Sequence, residues 1–193
     1  ENNITTVVTA HQTDDNLETF LINLSRGTGI EGLTSIPEKT TAISRPLLPF
    51  SRDEILRYAQ EHQLDWREDE SNKETKYLRN KIRHTIVPNL KELHPNFLNN
   101  FLKTQAFLEQ TARLLEAHME ELRDTIFKKE KDILKIEINI LEKLIPLEAY
   151  IYQLFRPYGF HDAQAIISLF GSLSGKELLS GTHRLLKDRN SFL

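Results

Sequence analysis

Four side chains that could do chemistry lie close together near the start of the chain. His11 is followed by Asp14, Asp15 and Glu18. Asp15 and Glu18 are three residues apart, so on a helix they share a face, where two carboxylates can hold Mg²⁺ through water or bind an ammonium group. Asp14 and Asp15 also suit the start of a helix, because they cap its free N–H groups and complement its dipole. From spacing alone, a ligand site and a helix cap both stay open.

A second group of reactive side chains follows in the run from Tyr77 to Arg83. Arg79, Asn80 and Arg83 are closely spaced, and an aromatic ring precedes them. Cations beside an aromatic ring can bind RNA phosphates while the ring stacks on a base. The alternative is the solvated face of a helix, with the basic side chains on its exposed sides. Three apolar residues recur there at every fourth position, as a helix requires: Leu78, Ile82 and Ile86.

The acidic cluster lies between a predicted strand and a predicted helix. Residues 4–9 are apolar and β-branched, as in a buried strand of a parallel sheet. The helix is predicted to begin near Thr13 and to end at Gly27. Ligands of open α/β sheets bind beyond the carboxyl ends of the strands, so a site is expected here.

Gly27-x-Gly29-x-x-Gly32 matches a dinucleotide-binding fingerprint but follows a helix. The motif therefore predicts a helix end and an irregular loop, not a nicotinamide or flavin site.

The rest of the chain changes character near residue 95. The predicted elements are an extended segment, a helix with a Ser51-x-x-Glu54 capping box, a basic helix, a long helix, a strand, two helices and a hairpin, at residues 44–50, 51–59, 73–91, 101–126, 133–138, 147–155, 162–170 and 177–193. The apolar stripe of the long helix is broken only by Gln105. We therefore predict an α/β domain over residues 1–95 and a mostly helical domain over residues 96–193.

Composition excludes several classes of protein. The 193 residues are 39% hydrophobic and 27% charged, as in a soluble globular protein, with no apolar run near the ~18 residues of a membrane span and no signal peptide. A location in the cytoplasm, without a membrane, is predicted. The lack of cysteine excludes disulfides, thiolate metal sites and a cysteine nucleophile. A net charge of −3 means that a nucleic acid would be bound by a local patch. Because Met119 is the single methionine, the chain is expected to be a piece of a longer protein.

Three stretches share their order and spacing with one known family. They are TAHQTDDNLET at 9–19 with RGTGIEGL at 26–33, RPLL at 45–48 with WREDESN at 66–72, and YLRNKIR at 77–83 with VP at 87–88. Together they resemble the tRNA(Ile)-lysidine synthetase family of PP-loop ATP pyrophosphatases. The resemblance covers roughly residues 4–95. The remainder is similar to the family's helical second domain mainly through Ser174-Gly175-Lys176.

This resemblance implies a fold and a reaction. The fold is mixed α/β and mostly helical: the C-terminal part of a Rossmann-like PP-loop α/β domain, then an α-helical tRNA-recognition domain with a small β-hairpin. The reaction is an ATP-dependent ligation in which the wobble cytidine of tRNA(Ile) is activated as an adenylate and free L-lysine displaces AMP, giving lysidine. Mg²⁺ would neutralise the pyrophosphate.

The resemblance also implies roles for particular residues. Four are implied in catalysis, as carboxylates that orient or deprotonate the lysine ammonium and an imidazole that positions it: His11, Asp14, Asp15 and Glu18. Three are implied in contacts with the tRNA backbone: Arg79, Asn80 and Arg83. Arg26 would hold a phosphate, and Asp15 and Glu18 would also hold the metal.

Two departures from the family qualify the expected activity. Gln12 stands where members often have a second histidine, and the Ser-Gly-Gly-x-Asp-Ser loop that cradles ATP phosphates does not occur in these residues. We therefore expect these 193 residues alone to make no lysidine. Two alternatives stay open: a PP-loop tRNA thiolase, which the lack of cysteine disfavours, and a noncatalytic tRNA-binding or interaction module. A homodimer is also allowed by the sequence.

Overall fold

The computed structural model describes residues 5–67 and 78–193. About 54% of these described residues are helical. The chain forms two compact units, Glu1–Arg113 and Leu114–Leu193. The division lies inside the long helix, and Phe101 near the start of that helix is buried in the core of the first unit. The predicted features at residues 68–77, including most of WREDESN, lie outside the described residues.

The first unit begins with two short strands. β1 (Val7–Val8) pairs in parallel with β2 (Ile43–Ser44). The strand predicted before the acidic cluster is thus confirmed. The extended segment predicted over residues 44–50 is wrong beyond Ser44, because residues 46–49 form a turn in which the Leu48 N–H donates to the Arg45 carbonyl at 3.2 Å. The predicted burial of the first strand is wrong, since Val7 and Val8 are 52% and 67% exposed. A ladder of two residues per strand offers too small a face for a helix to cover.

Helix α1 (Thr13–Arg26) begins and ends at the predicted residues, although its N-cap is Gln12 and Asp14 does not cap it. The backbone N–H of Gln12, the N-cap residue, donates to Asp15 Oδ2 at 3.1 Å. At the other end Gly27 takes a φ of 74°, a left-handed conformation that glycine adopts without strain. The residues that follow form a short helix, α2 (Ile30–Leu33), where an irregular loop was predicted.

Helix α3 (Arg52–Glu61) carries the predicted capping box. The Glu54 N–H donates to Ser51 Oγ at 3.2 Å, and the Ser51 N–H donates to Glu54 Oε2 at 2.8 Å. These reciprocal bonds pair two of the N–H groups that a helix start leaves free. The predicted position of this helix is confirmed.

The basic segment forms three consecutive helical pieces. They are α4 (Leu78–Lys81), a π-helical turn (Ile82–Ile86) and α5 (Val87–Glu92). Of the predicted apolar stripe, Ile82 is buried but Leu78 and Ile86 are 45% and 39% exposed. A π-helical turn contains an extra residue, so a spacing of four does not return to the same side. Val87 is buried instead.

The core of the first unit packs against α1. Its buried side chains are Leu17, Ile82, Val87 and Phe101. Phe20 packs edge-on against Phe101, with ring centroids 5.3 Å apart. α6 (Phe97–Ile126), which supplies Phe101, confirms the long helix that the apolar stripe predicts.

The second unit contains a sheet and short helices. Its elements after α6 are β3 (Lys128–Glu130), β4 (Ile133–Glu137), α7 (Ile138–Leu141), α8 (Leu147–Phe155), a 3₁₀ turn (Arg156–Tyr158), α9 (Ala163–Phe170), β5 (Glu177–Leu179), β6 (Arg184–Asp188) and β7 (Ser191–Phe192). The strand near residue 133, the two helices and the hairpin are confirmed. The sheet is larger than the predicted hairpin, because β7 also pairs with β4 and so joins all the strands in the antiparallel order β3-β4-β7-β6-β5.

The core of this unit packs α8 and α9 against the sheet. Its fully buried side chains include Ile151, Leu154, Ile166 and Phe192. In the ranges 5–67 and 78–193, no helix combines the length and the apolar composition that crossing a membrane needs.

Candidate functional site

The first turns of α1 are polar and buried. Four residues there are at most 6% exposed: Thr13, Asp14, Asn16 and Glu18. Buried polar groups are costly unless they are paired, so their partners matter. Thr13 binds the segment before α3: its N–H donates to the Phe50 carbonyl at 2.9 Å, and its Oγ1 donates to the Leu48 carbonyl at 3.0 Å.

Arg83 binds both carboxylates of the predicted site. Its Nε donates to Glu18 Oε1 at 2.6 Å and its Nη2 to Glu18 Oε2 at 2.9 Å, a bidentate contact. The same Nη2 lies 3.0 Å from Asp15 Oδ1. The side chains of Glu18 and Arg83 are 2% and 21% exposed, so this ion pair is largely shielded from water. Bidentate geometry fixes the orientation of the Glu18 carboxylate as well as its charge.

Arg79 approaches the same carboxylate from one helical turn earlier. Its Nε lies 3.3 Å from Glu18 Oε2, and its Nη2 donates to Thr19 Oγ1 at 2.8 Å, while 44% of its side chain stays exposed. The prediction that the basic side chains lie on the solvated sides of their helix is therefore wrong for Arg83 and holds in part for Arg79. Buried carboxylates need counterions, and this segment supplies them.

Burial and pairing oppose each other in the protonation of this cluster. Burial raises the pKa of Glu18 above 4.5, although the hydrogen bond and charge of Arg83 pull in the other direction. The hydrogen bond to Glu18 raises the pKa of the Arg83 guanidinium further, against the opposing effect of burial. Glu18 is thus a stronger base than an ordinary glutamate, held next to a permanent cation.

Asp14 has partners different from those of Asp15. Its Oδ1 lies 2.6 Å from Lys91 Nζ, and its Oδ2 accepts the Arg52 N–H at 2.8 Å. Lys91 also reaches the exposed Asp53 at 3.3 Å. Burial lowers the pKa of Lys91, but the bond to Asp14 and the charges of both aspartates outweigh it and raise the pKa above 10.5.

A buried amide pair lies on the opposite side of α1. Asn16 Nδ2 donates to Gln105 Oε1 at 2.8 Å, and Asn16 Oδ1 accepts the Ile36 N–H at 2.9 Å. Ser35 Oγ also donates to Gln105 Oε1, at 3.3 Å. The one break in the apolar stripe of α6 was the sequence signal for this contact.

The remaining predicted site residues have different surroundings. His11 precedes α1, and its Nδ1 lies 2.8 Å from Thr9 Oγ1. Arg26 is exposed at the far end of α1, about 18 Å from Asp14 along a helix that rises 1.5 Å per residue. Asn80 is buried, which disfavours the predicted contact with an RNA phosphate.

Comparisons with known proteins agree on one family. Residues 1–90 match the PP-loop domain and residues 129–193 match the TilS substrate binding domain. The tRNA(Ile)-lysidine synthase of Porphyromonas gingivalis is 36% identical over 187 residues, which are 95% of this chain and 40% of that protein. The enzyme of the same name from Bacteroides thetaiotaomicron is 36% identical over 97% of this chain and 43% of its own.

The chain belongs to the tRNA(Ile)-lysidine synthase family. A third member, from Neisseria meningitidis, is 43% identical over 112 residues, 55% of this chain and 26% of its own. The chain spans about two fifths of the length of the first two relatives. The two matched domains occur in the order that the resemblance implied.

The family's PP-loop domain implies the use of ATP. The Ser-Gly-Gly-x-Asp-Ser loop is not among the 193 residues. Arg83 already binds Asp15 and Glu18. No group of three carboxylate or imidazole side chains that could hold a metal occurs within residues 5–67 and 78–193. Among the described residues, the two carboxylates predicted to hold the metal are therefore already paired with a cation of the same chain.

For this member of the synthase family, the sequence predicted the acidic residues of the site but not their ion pairs with Arg83 and Lys91. Asp14, Asp15 and Glu18 were predicted as one cluster, and the structure divides them between two sets of partners. Lys91 was predicted only as part of a charge run. The run of basic residues carries no pattern that distinguishes pairing with a buried acidic helix start from exposure to water.

Proposed function

We propose that this chain takes part in the ATP-dependent ligation of lysine to the wobble cytidine of tRNA(Ile), which gives lysidine. The observation that carries the proposal is the cluster of Glu18, Arg83 and Asp15 at the start of α1, just beyond the carboxyl end of β1. Membership of the synthase family supports it, as does the lack of any cysteine for sulfur transfer.

The carboxylates suit the binding of the lysine side chain. Asp15 is the more accessible, with 16% of its side chain exposed, and would contact the ε-ammonium first. Glu18 has both oxygens engaged by Arg83, so the ammonium must join or displace that guanidinium. An amine bound here can be drawn away from water and oriented toward the nucleobase.

Glu18 is also suited to take a proton. The lysine nitrogen must lose a proton as it bonds to the ring carbon of cytidine and the leaving group departs from that carbon. A general base works best when its pKa lies near the working pH, and burial moves the pKa of Glu18 in that direction. Arg83 would then stabilise the return of Glu18 to its charged form.

Among the three residues predicted to contact tRNA, Arg79 is the best placed. Its side chain is 44% exposed, whereas Asn80 is buried. We expect Arg79→Ala to weaken tRNA binding. The plot of log binding constant against log salt concentration should become shallower by about one, the change for one lost phosphate contact. Asn80→Ala should leave that slope unchanged. Equal slopes for the two variants would remove Arg79 from the interface.

The proposal includes four features that the sequence predicted. They are a Rossmann-like arrangement around β1 and β2, Mg²⁺ as the ion of the pyrophosphate, a location in the cytoplasm with tRNA, and association as a homodimer. The assignment of residues 1–95 to catalysis and of residues 96–193 to tRNA recognition is likewise part of it.

A noncatalytic tRNA-binding module is the second candidate. It is favoured by the pairing of Asp14, Asp15 and Glu18 with cations of the same chain, as in a purely structural network. Substitution in the full-length protein distinguishes the two. Asp15→Asn and Glu18→Gln keep the shape of each side chain and remove its charge, and Glu61→Gln on the exposed end of α3 is the matched control.

The assay measures ATP-dependent incorporation of lysine into tRNA(Ile), with tRNA affinity measured separately. We expect Asp15→Asn and Glu18→Gln to lower the rate by about a hundredfold or more, the scale of a lost acid–base group, with tRNA affinity retained. Glu61→Gln should stay within about twofold. Unchanged rates in folded Asp15 and Glu18 variants would favour the noncatalytic module.

A further inference from the structure

The basic segment is attached to α1 at two separate points. Arg83 binds Glu18 and Asp15, and Lys91 binds Asp14. Lys91 follows Arg83 by eight residues, about 12 Å along a helix. Two attachments that far apart fix both the distance of the segment from α1 and its direction.

Apolar contacts also hold the basic segment against α1. Ile82 and Val87 are buried in one cluster with Leu17 of α1. Such contacts hold the segment close, but they are not directional and tolerate rotation about the helix axis. The ion pairs at the two ends are directional, so they determine which side chains face α1.

The π-helical turn makes rotation an important variable. Arg83 lies within this turn, which covers Ile82–Ile86, and Lys91 lies beyond it in α5. A π-helical turn is an α-helix with one extra residue, and it is the rarer form. If it relaxed to an α-helix while Lys91 stayed in place, Arg83 would rotate by about 100°, the angle per residue at 3.6 residues per turn. That rotation would remove its guanidinium from Glu18.

Asp14 is suited to anchor Lys91 because it is itself held in place. It is 6% exposed, and its second oxygen accepts the N–H of Arg52, the first residue of α3. Both oxygens therefore have partners within the chain, which fix the orientation of the Asp14 carboxylate. Its partners separate it from Asp15, whose carboxylate meets Arg83.

We propose that Asp14 and Lys91 are positioning residues: their ion pair holds the π-helical turn in the register that places Arg83 on Glu18 and Asp15. This inference rests on the proposed function, because the purpose of that placement is the binding of lysine. Asp14 is thereby removed from the catalytic residues that the sequence predicts. Lys91 is added as a residue that acts through Arg83.

Kinetic measurements on the full-length protein test the inference. Lys91→Met removes the charge and keeps most of the side-chain length, Lys91→Arg restores the charge, and Asp53→Asn removes only the exposed second partner of Lys91. We expect Lys91→Met to raise KM for lysine by about five- to tenfold with a smaller change in kcat, as coupling between neighbouring residues allows. Lys91→Arg should recover most of the loss, and Asp53→Asn should stay within about twofold.

The same substitution in an Arg83→Met background separates positioning from general stabilisation. If Lys91 acts through Arg83, adding Lys91→Met to Arg83→Met should change KM by less than about twofold. An effect of full size in that background would overturn the inference, because it would show that Lys91 acts without Arg83. Thermal unfolding of each variant checks that both backgrounds are folded.

A second readout keeps the inference separate from the proposed function. If Arg83→Met leaves lysine incorporation unchanged, the proposed function fails, and the register is then judged from the carboxyl titration of Glu18 followed by ¹³C NMR. Loss of the Arg83 contact should raise the measured pKa of Glu18 in Lys91→Met and leave it unchanged in Asp53→Asn. An unchanged titration in Lys91→Met would refute the positioning role whatever the activity shows.

Discussion

Removal of Arg83 should destabilise the first unit more than removal of any exposed arginine. Arg83→Met keeps most of the aliphatic stem but leaves Glu18, 1% exposed, without its bidentate partner. Removing one partner of a buried ion pair costs about 3–5 kcal/mol. Two features of the structure reduce that figure.

The first is that 21% of the Arg83 side chain is exposed, so water screens part of the pair. The second is that Arg79 stays 3.3 Å from Glu18 and keeps part of the favourable charge interaction. We therefore expect a loss of about 2–3 kcal/mol in the free energy of unfolding.

The assay is urea unfolding followed by tryptophan fluorescence. Trp66 is the chain's one tryptophan and belongs to the first unit, so its signal follows that unit. Arg113→Met is the matched control, because Arg113 is 80% exposed and lies 3.7 Å from Glu109. An exposed pair of this kind contributes about 0–1 kcal/mol. Equal destabilisation by Arg83→Met and Arg113→Met would refute the argument that the Glu18 pair is a buried one.

Three further predictions concern packing, backbone and protonation. Gln105→Leu should cost about 1 kcal/mol in unfolding free energy, since it leaves an α1 amide without its acceptor, while the exposed Gln110→Leu should cost under about 0.5. Gly159→Ala should lower the unfolding free energy of the second unit by about 1 kcal/mol or more, because the φ of Gly159 is 81° and the new Cβ would lie 3.1 Å from Ser180 Oγ. The control Gly171→Ala, which has open space around the new Cβ, should be near neutral when both variants are compared by thermal unfolding. The pKa of Glu18 in the folded protein lies above its value of 4.5 in the unfolded chain. The contribution of Glu18 to stability should therefore fall as the pH rises from 4.5 to the folded pKa. A pKa at or below 4.5, measured for Glu18 by NMR titration, would contradict this.

The helices of this protein were predictable because their ends are determined locally. The caps of α1 and α3 join residues three positions apart, and Gly27 ends α1 by its own conformational freedom. The long helix α6 follows from the spacing of its apolar residues. The order of motifs likewise identified the family before any contact was known.

The partners of the carboxylates depended on the tertiary structure. Arg83 and Glu18 are 65 positions apart, and a run of basic residues has the same pattern whether it faces water or a buried acidic helix. The π-helical turn changed which residues of that run face α1, and no spacing rule based on 3.6 residues per turn anticipates it. Asp14 pairs with Lys91, and Asp15 pairs with Arg83, because the tertiary structure packs the basic segment against α1. The sequence by itself determined the elements and the acidic residues, and the packing of distant segments decided which cation each acid meets.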